Sequence, residues 1–445
     1  MKKIIVLFIC ILLFVGCSNG SSVSYDDAIT ITLSDNEILV NDNKISMSTS
    51  DDVYLANDII YYEEGKDSSY GEGTESDSHS IEEAKSHSVV HITKAGTYRL
   101  KGSLSKGQIA VDLGEDAKED PNAIVTLVLD NVDITCTVAP AIIFYNVYES
   151  ESTDDAGANV YIEDGSKNTI NGSYVAKIYK DGTEKKLHKY DGAFYSKKSM
   201  IVDGNTGVLN INAQNEGLDT EMHLTINGGN INIVAQNDGI NVNEDGVSIF
   251  TMNNGLLTVD SGYGEEGDGI DSNGSIVING GTIVAMPCNT SADGGIDSDL
   301  GITINGGTVL AFGMNGQIQP SSLQDYISGN VYANIIEIKQ DNKVIYEYTT
   351  ARRYSSLLFS SSDINENGIY TINNADVSIN QSKGMGGFDR NNIPNGMQRP
   401  DGDFDPNRLP EDFDPNNIPE GMQRPDGKFD PNNKPDGEFN PNTNV

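Results

Sequence analysis

Apolar and polar residues alternate in short runs between residues 191 and 316, and this pattern recurs at a fixed spacing. The markers of the repeat, which stand 26 residues apart and are each followed by glycine within two positions, are Asn227, Asn253, Asn279 and Asn305. A fixed period of this size is typical of stacked repeats rather than of a single globular core.

Two short strands are predicted in each repeat, one on either side of the asparagine. The apolar residues before it are Leu224/Ile226, Phe250/Met252, Ile276/Ile278 and Ile302/Ile304, and those after it are Ile231/Ile233, Leu257/Val259, Ile283/Ala285 and Val309/Ala311. Each set alternates with polar residues, as in a strand with one buried face. Because right-handed crossovers dominate between parallel strands, the sequence predicts an all-β protein built as a right-handed parallel β-helix, a solenoid with one coil per repeat.

A second motif, acidic and glycine-containing, lies on the return side of each predicted coil. Its candidate metal ligands are Glu216, Asp219, Asp238, Asn241, Asp268, Asp271, Asp293, Asp297 and Asp299. Carboxylates stacked a few ångströms apart repel one another, and no Lys or Arg lies between Lys198 and Lys339 to neutralise them. Ca2+, which takes about six to eight oxygen ligands, would do so, and it is therefore the predicted cofactor. The alternative is that these Asp-Gly pairs serve only as turns.

The first residues of the chain predict export and anchoring. Residues 1–16 combine a positively charged start with an apolar run too short to span a membrane, which is typical of a signal peptide. The stretch before Cys17 resembles the bacterial lipobox, with Phe14 where that pattern usually has Leu. The resemblance implies a lipid on the Cys17 thiol, anchoring at the outer face of the cell membrane, and a tether at residues 17–27. The alternative is an ordinary signal peptide.

Composition divides the remainder of the chain into further parts. We expect the β-helix domain to span residues 28–316, with irregular first coils to about residue 190 and a Ser- and Glu-rich surface insertion at 63–88. Residues 317–380 predict a C-terminal β module that caps the open end of the solenoid. Residues 381–445 are rich in Pro, Asp, Gly and Asn and repeat with a period of 25, which predicts a disordered tail.

Charge and cysteine content exclude several classes of partner. The formal net charge is −37 over 445 residues, so nucleic acid and anionic lipid surfaces would be repelled, and an acidic polymer could approach only through a bridging metal. The five His residues show no zinc pattern. After the predicted cleavage Cys136 and Cys288 could form a disulfide or remain two buried thiols. We expect a monomer.

Several stretches together resemble a known bacterial family. They are GTYRLKGSLSKGQIAVDL at 96–113, VTLVLDNVDITCTVAPAIIFYNV at 125–147, DGAFYSKKSMIVDG at 191–204, the DGI and INGG coils, and SSLLFSSSDINENGIYTI at 355–372. In this order they resemble lipoproteins with a calcium-binding parallel β-helix and a carbohydrate-binding domain, similar in fold to calcium-dependent pectate lyases. The resemblance covers roughly residues 28–375. It implies calcium on the acidic motif, where this chain has Asn241 in place of Asp, and binding of plant cell-wall polysaccharide such as polygalacturonate without catalysis.

Three classes of function follow from these residues. The first is a surface protein that binds polysaccharide, and the sequence favours it over a purely structural adhesin. The second is a pectate lyase, which needs a Lys or Arg near calcium to remove a proton; only Lys197 and Lys198, at the end of a basic loop at 176–198, come close. The third is a hydrolase that uses a pair of carboxylates as acid and base. Carboxylates that are saturated with calcium are not free for those roles.

The ligand class follows from what the coils lack. The chain contains no Trp, and aromatic residues are sparse in the regular coils, so a flat stacking platform for a neutral glycan is not expected. An acidic glycan bridged by calcium fits better, with Lys197 and Lys198 as possible glycan contacts.

Overall fold

Short parallel strands stack on one another along most of the chain, as alternation of apolar and polar residues predicts. The computed structural model describes residues 25–381, apart from residues 67–68, 72, 151 and 180–185. The predicted signal peptide, Cys17 and the repeated tail lie outside the described residues. Among the residues it does describe, no helix is long and apolar enough to cross a membrane.

The N-terminal half forms the first, irregular coils. Its strands are β1 Ile29–Leu33, β2 Leu39–Val40, β3 Asn43–Lys44, β4 Val53–Ala56, β5 Ser88–Ile92, β6 Gly96–Leu104, β7 Gly107–Asp112, β8 Val125–Thr135, β9 Ile142–Asn146, β10 Ala158–Ile162, β11 Lys167–Gly172, β12 Val175–Tyr179 and β13 Lys186–Tyr190. Strands β1, β6, β8 and β10 pair in parallel, one coil to the next. Strands β12 and β13 form an antiparallel hairpin instead. This hairpin interrupts the solenoid at the start of the regular coils.

The regular coils continue to residue 312. Their strands are β14 Gly192–Ser196, β15 Met200–Gly204, β16 Val208–Ala213, β17 Glu216–Thr220, β18 Leu224–Ile226, β19 Asn230–Ala235, β20 Ile240–Val242, β21 Ile249–Met252, β22 Leu256–Asp260, β23 Ile270–Ser272, β24 Ser275–Ile278, β25 Thr282–Met286, β26 Gly301–Ile304 and β27 Thr308–Phe312. Equivalent strands of successive coils pair in parallel. The predicted parallel β-helix is therefore confirmed.

Each regular coil before the last has three strands, so the prediction of two strands per repeat was wrong for those coils; the last coil has only β26 and β27. The acidic motif, expected as a return turn, forms a third short strand in β17, β20 and β23, which pair in parallel. The apolar residues Leu218, Ile240 and Ile270 of these strands are fully buried and face the interior. A single apolar position between a glycine and an Asp or Asn is too weak a periodic signal to predict a strand.

Stacked side chains hold the coils in register. Asn253, Asn279 and Asn305 each donate an amide hydrogen bond to the equivalent Asn of the coil before, at 2.8, 2.8 and 2.9 Å. The glycine that follows is required at these turns: Gly255 has a φ of +94°, and a Cβ there would lie 2.6 Å from the Gly229 carbonyl oxygen. Such amide ladders satisfy polar groups at the turns while the apolar columns fill the interior.

The insertion at residues 63–88 is more ordered than its composition predicts. It contains a 3-10 helix, Glu75–Asp77, and the short helix α1, Ile81–Lys85, capped by the Ser80 side chain; a further 3-10 helix spans Glu115–Glu119. Ala84 and His87 are buried. His87 Nδ1 donates to the Glu83 carbonyl at 2.9 Å, and its Nε2 accepts from the Thr137 backbone N–H at 3.2 Å. Part of the predicted surface insertion thus packs on the first coils.

A C-terminal β module covers the last coil. Its strands are β28 Tyr326–Asn330, β29 Ile335–Gln340, β30 Lys343–Thr349, β31 Ser356–Ser360, β32 Tyr370–Ile372 and β33 Ala375–Val377. Strand β31 pairs antiparallel with β27, the last strand of the solenoid. Arg352 forms an ion pair with Asp260 and donates to the Ser261 carbonyl at 2.7 Å. The edge of the last coil is therefore paired rather than open.

Candidate functional site

One face of the solenoid carries a column of side-chain oxygens. The strand register aligns Asp219 with Asn241, and Asn241 with Asp271, and the bridge between Ile270 and Ile296 places Asp297 next in the column. These four predicted ligands follow one another coil by coil because the third strand of each coil pairs without slippage. The sequence phase of the acidic motif therefore corresponds to a real stack.

A second acidic column runs beside the first. Asp238 accepts a hydrogen bond from the Asp268 backbone N–H at 2.6 Å, and Asp268 accepts one from Gly294 N–H at 2.6 Å. Each carboxylate thus reaches the backbone of the following coil. Glu216 lies at the start of this column and is buried. Each of these carboxylates stands three residues before a member of the first column.

The two columns together produce a recurring triad of oxygen ligands. In the best defined one, the carboxylates of Asp268, Asp271 and Asp297 each offer one oxygen, and these oxygens lie within 4.8 Å of one another. The triad takes two residues from one coil and one from the next. Register equivalence assigns two further triads, Glu216/Asp219/Asn241 and Asp238/Asn241/Asp271. Asn241 and Asp271 therefore each belong to two triads.

The first triad contains buried oxygens that have no hydrogen-bond partner. Among the described residues, the unpartnered buried side-chain atoms are Glu216 Oε2, Asp219 Oδ2 and Asn241 Oδ1. Glu216 is 5% exposed, Asp219 0% and Asn241 8%. Burying an unpartnered carboxylate oxygen is costly. All three orphaned atoms belong to one register-equivalent set, and carboxylate and amide oxygens are the donors that a hard cation takes. By their chemistry, the residues present therefore fit an oxygen-ligated metal ion.

The amide of Asn241 uses its nitrogen as a donor and leaves its oxygen without a partner. Its Nδ2 donates to Glu216 Oε1 at 3.0 Å. The Oδ1 atom of the same amide therefore faces away from Glu216 Oε1. Asn243 similarly donates to Asp219 Oδ1 at 2.6 Å. In both carboxylates one oxygen is thus held by an amide and the other is left unpartnered. The replacement of Asp by Asn at position 241 retains an oxygen ligand and removes one negative charge from the crowded column.

Burial and mutual repulsion raise the pKa values of the triad carboxyls. The pKa of Glu216 is raised to about 8, first by burial and then by Asp191, and that of Asp268 to about 8 by burial and by Asp238. The pKa of Asp271 is raised to about 6 by burial and by Asp297. Burial also raises the pKa values of Asp219, Asp238 and Asp297. Ionising these groups together therefore calls for a positive charge among them.

Two of the predicted ligands lie at the edge of this arrangement. Asp293 accepts hydrogen bonds through Oδ2 from the Gly267 N–H at 2.7 Å and from Ser291 at 2.5 Å. Asp299 is exposed and contributes charge that raises the pKa values of Asp271 and Asp297. Neither belongs to the oxygen cluster of Asp268, Asp271 and Asp297. Asp293 precedes Asp297 by four residues and Asp299 follows it by two, whereas the inner ligand pairs stand three residues apart. This difference in spacing could have distinguished both residues from the inner ligands.

Sequence reasoning missed two residues at the N-terminal end of the acidic face. The Lys189 ammonium lies 3.6 Å from Asp191 Oδ2. Burial disfavours its charge, but Asp191, Asp219 and Glu216 together raise its pKa. The expectation that no protein cation reaches the acidic motif was therefore wrong for the first coil. Lys189 precedes the regular coils in sequence, and only the fold of its hairpin places it there.

Two clefts flank this hairpin. One, of about 310 Å³, is lined by Lys177, Lys189, Asp191 and Glu216, among others. The other, of about 380 Å³, contains Lys197 and Lys198, the two lysines predicted as glycan contacts. Lys189 lines both clefts. The structure thus brings the basic loop and the first acidic triad to the same face of the solenoid.

The fold and this face define the class of protein: an all-β solenoid of parallel strands with oxygen ligands stacked along one side. A family model described as carbohydrate-binding domain-containing protein matches residues 86–389. The chain belongs to this family, which confirms the resemblance seen in the sequence.

Two known proteins are similar to this chain. A carbohydrate-binding domain-containing protein of Acetivibrio thermocellus is 31% identical over 147 residues, which are 33% of this chain and 45% of that protein. The match therefore spans less than half of the relative's length. A solved structure, described as the polysaccharide lyase-like protein from C. thermocellum in a gadolinium derivative, is 20% identical with a TM-score of 0.42, and the match covers 66% of this chain and 95% of that chain.

Proposed function

We propose that this protein binds an acidic polysaccharide through a calcium-loaded face of its solenoid. Membership of a carbohydrate-binding domain family supports the ligand class. The observation that carries the proposal is the set of three unpartnered buried oxygens on Glu216, Asp219 and Asn241. A buried set of carboxylate and amide oxygens is the donor chemistry that calcium prefers.

Burial differs along the column, and this suggests two roles for the cations. Glu216, Asp219 and Asn241 are buried, so a cation there would mainly hold coils together. Asp268, Asp271 and Asp297 are half-buried, so a cation there would keep coordination positions open to solvent. A uronate oxygen can replace water at such a position. With a formal charge of −37, the protein otherwise repels a polyanion.

A lyase is the second candidate, and Lys189, whose charge interacts with Glu216 and Asp219, is a basic residue that could serve it. Proton abstraction needs an unprotonated amine near neutral pH. Its carboxylate neighbours instead raise the pKa of Lys189, so it stays protonated. This favours a binding protein over an enzyme.

Location is part of the proposal. The sequence around Cys17 suggests export and a lipid anchor on the outer face of the membrane. A Cys17→Ala variant should leave the membrane fraction after cell lysis and fractionation, whereas a Cys136→Ala variant should stay. If Cys17→Ala remains with the membrane, another feature anchors the protein.

The function is tested by retention on polygalacturonate in calcium and in chelator. We expect calcium to increase retention strongly, and Asp271→Ala to weaken that increase. Equal retention in both buffers would contradict a calcium-bridged interface. Ultraviolet absorbance of the same mixtures reports unsaturated products, and a steady rise would show that the protein is a lyase.

A further inference from the structure

The larger cleft beside the hairpin has the dimensions of a ligand site. It encloses about 380 Å³ between residues 187–190 of strand β13 and residues that follow β14 and β17. Small-molecule sites in proteins span roughly 300–1,000 Å³. The cleft opens on the side of the solenoid that carries the acidic columns, because Tyr195 in its wall is the register neighbour of Asp219.

Two lysines supply the available positive charge in this cleft. Lys197 is exposed and Lys198 is half-buried. Within the described part of the chain, neither forms an ion pair of 4.0 Å or less. Lys189, by contrast, is paired with Asp191. Burial and the charge of Lys197 lower the pKa of His188, so the histidine is neutral near pH 7.

Carboxylates and a phenol also line this cleft. Tyr195 donates a hydrogen bond to Glu221 Oε1 at 2.7 Å, and Glu244 is exposed at the rim. The rings of Tyr190 and Tyr195 are buried, at 7% and 1% exposure. They therefore offer no flat surface on which a neutral sugar could stack. Recognition in this cleft must depend on charge and on hydrogen bonds.

We propose that this lysine cleft is a subsite for one hexuronate unit of an acidic glycan. The sugar carboxylate would bind Lys197 and Lys198, and a sugar hydroxyl would donate to Glu244. This inference rests on the proposed function and adds a contact that needs no metal ion. Tyr195 neighbours Asp219 in register, so a glycan held in the cleft continues onto the acidic coils. The cleft thus determines where along the solenoid the bound glycan begins.

The test is isothermal titration of trigalacturonate into the full chain, in calcium and in chelator. The variant is Lys197→Gln/Lys198→Gln. Its matched control is Lys101→Gln/Lys118→Gln, which removes the same charge from exposed lysines outside both clefts. Charge-assisted hydrogen bonds contribute enough that losing both lysines should weaken binding by about tenfold or more in each buffer. The control variant should bind as the natural chain does.

The inference would be overturned by unchanged affinity in the cleft variant, by an equal loss in the control variant, or by no binding of trigalacturonate by the natural chain in either buffer. Tight binding of a neutral galactotriose would also overturn it. The variant's melting curve in calcium, unchanged from that of the natural chain, shows that the fold is intact. Polygalacturonate retention by Asp271→Ala tests the calcium-bridged face separately, so the two proposals can fail independently.

Discussion

Asp271 differs from the other acidic residues because it belongs to two triads. It stands with Asp238 and Asn241 in one and with Asp268 and Asp297 in the next. Asp297 belongs to one of the assigned triads. If each triad holds calcium, then Asp271→Ala should impair two sites and Asp297→Ala only one. The calcium-dependent part of stability should fall accordingly.

The size of this difference follows from mass action. A ligand at a hundred times its dissociation constant stabilises the folded state by about 2.7 kcal/mol per site. Under that condition Asp297→Ala should remove about 3 kcal/mol of the calcium-dependent stability and Asp271→Ala about 5 kcal/mol. In chelator the two variants should be no less stable than the natural chain, because each removes a carboxylate that repels its neighbours.

Chemical denaturation followed by circular dichroism, in calcium and in chelator, measures both quantities. Titration calorimetry gives the number of calcium ions bound by each variant. Asp155→Ala, at an exposed position outside the acidic face, is the control and should behave as the natural chain. Equal effects of the two substitutions would refute the shared-ligand arrangement, and a natural chain indifferent to chelator would refute calcium binding altogether.

Three further predictions concern pH, packing and the amide ladder. The folded-state pKa values of Glu216 and Asp268, about 8, lie above their unfolded values, so stability in chelator should fall as pH rises from about 4 to about 8. Melting curves should show that the stabilisation by calcium grows over this range, and a constant stabilisation would contradict the prediction. Ile276→Ala should cost about 2–5 kcal/mol in denaturant unfolding because the side chain is fully buried, and a cost below 1 kcal/mol would indicate a loose interior. Asn279→Ala removes two amide hydrogen bonds and should cost about 1–2 kcal/mol, whereas an unchanged midpoint would show that the ladder contributes nothing.

The repeat of 26 residues was enough to predict the solenoid. In a stacked fold each coil contacts only its neighbours, so residues one period apart in sequence are neighbours in space. The stacking of Asn253 on Asn279 and of Asp271 on Asp297 could therefore be predicted from the spacing alone. The constant phase of the asparagine turns predicted the fold, and the recurring acidic motif predicted the acidic column.

Contacts outside the period were decided only by the tertiary structure. Lys189 reaches the first triad because an antiparallel hairpin folds back over the coils, and no spacing rule predicts where such a hairpin lies. Strand β31 pairs antiparallel with β27, the last strand of the solenoid. This pairing depends on a reversal of the chain that lies far in sequence from β27. Which acidic side chains gather their oxygens into one cluster, as Asp268, Asp271 and Asp297 do while Asp293 does not, depends on side-chain direction. Asp293 stands four residues before Asp297 rather than three, which marks it as different in the sequence, but the direction that its carboxylate takes follows only from the folded backbone.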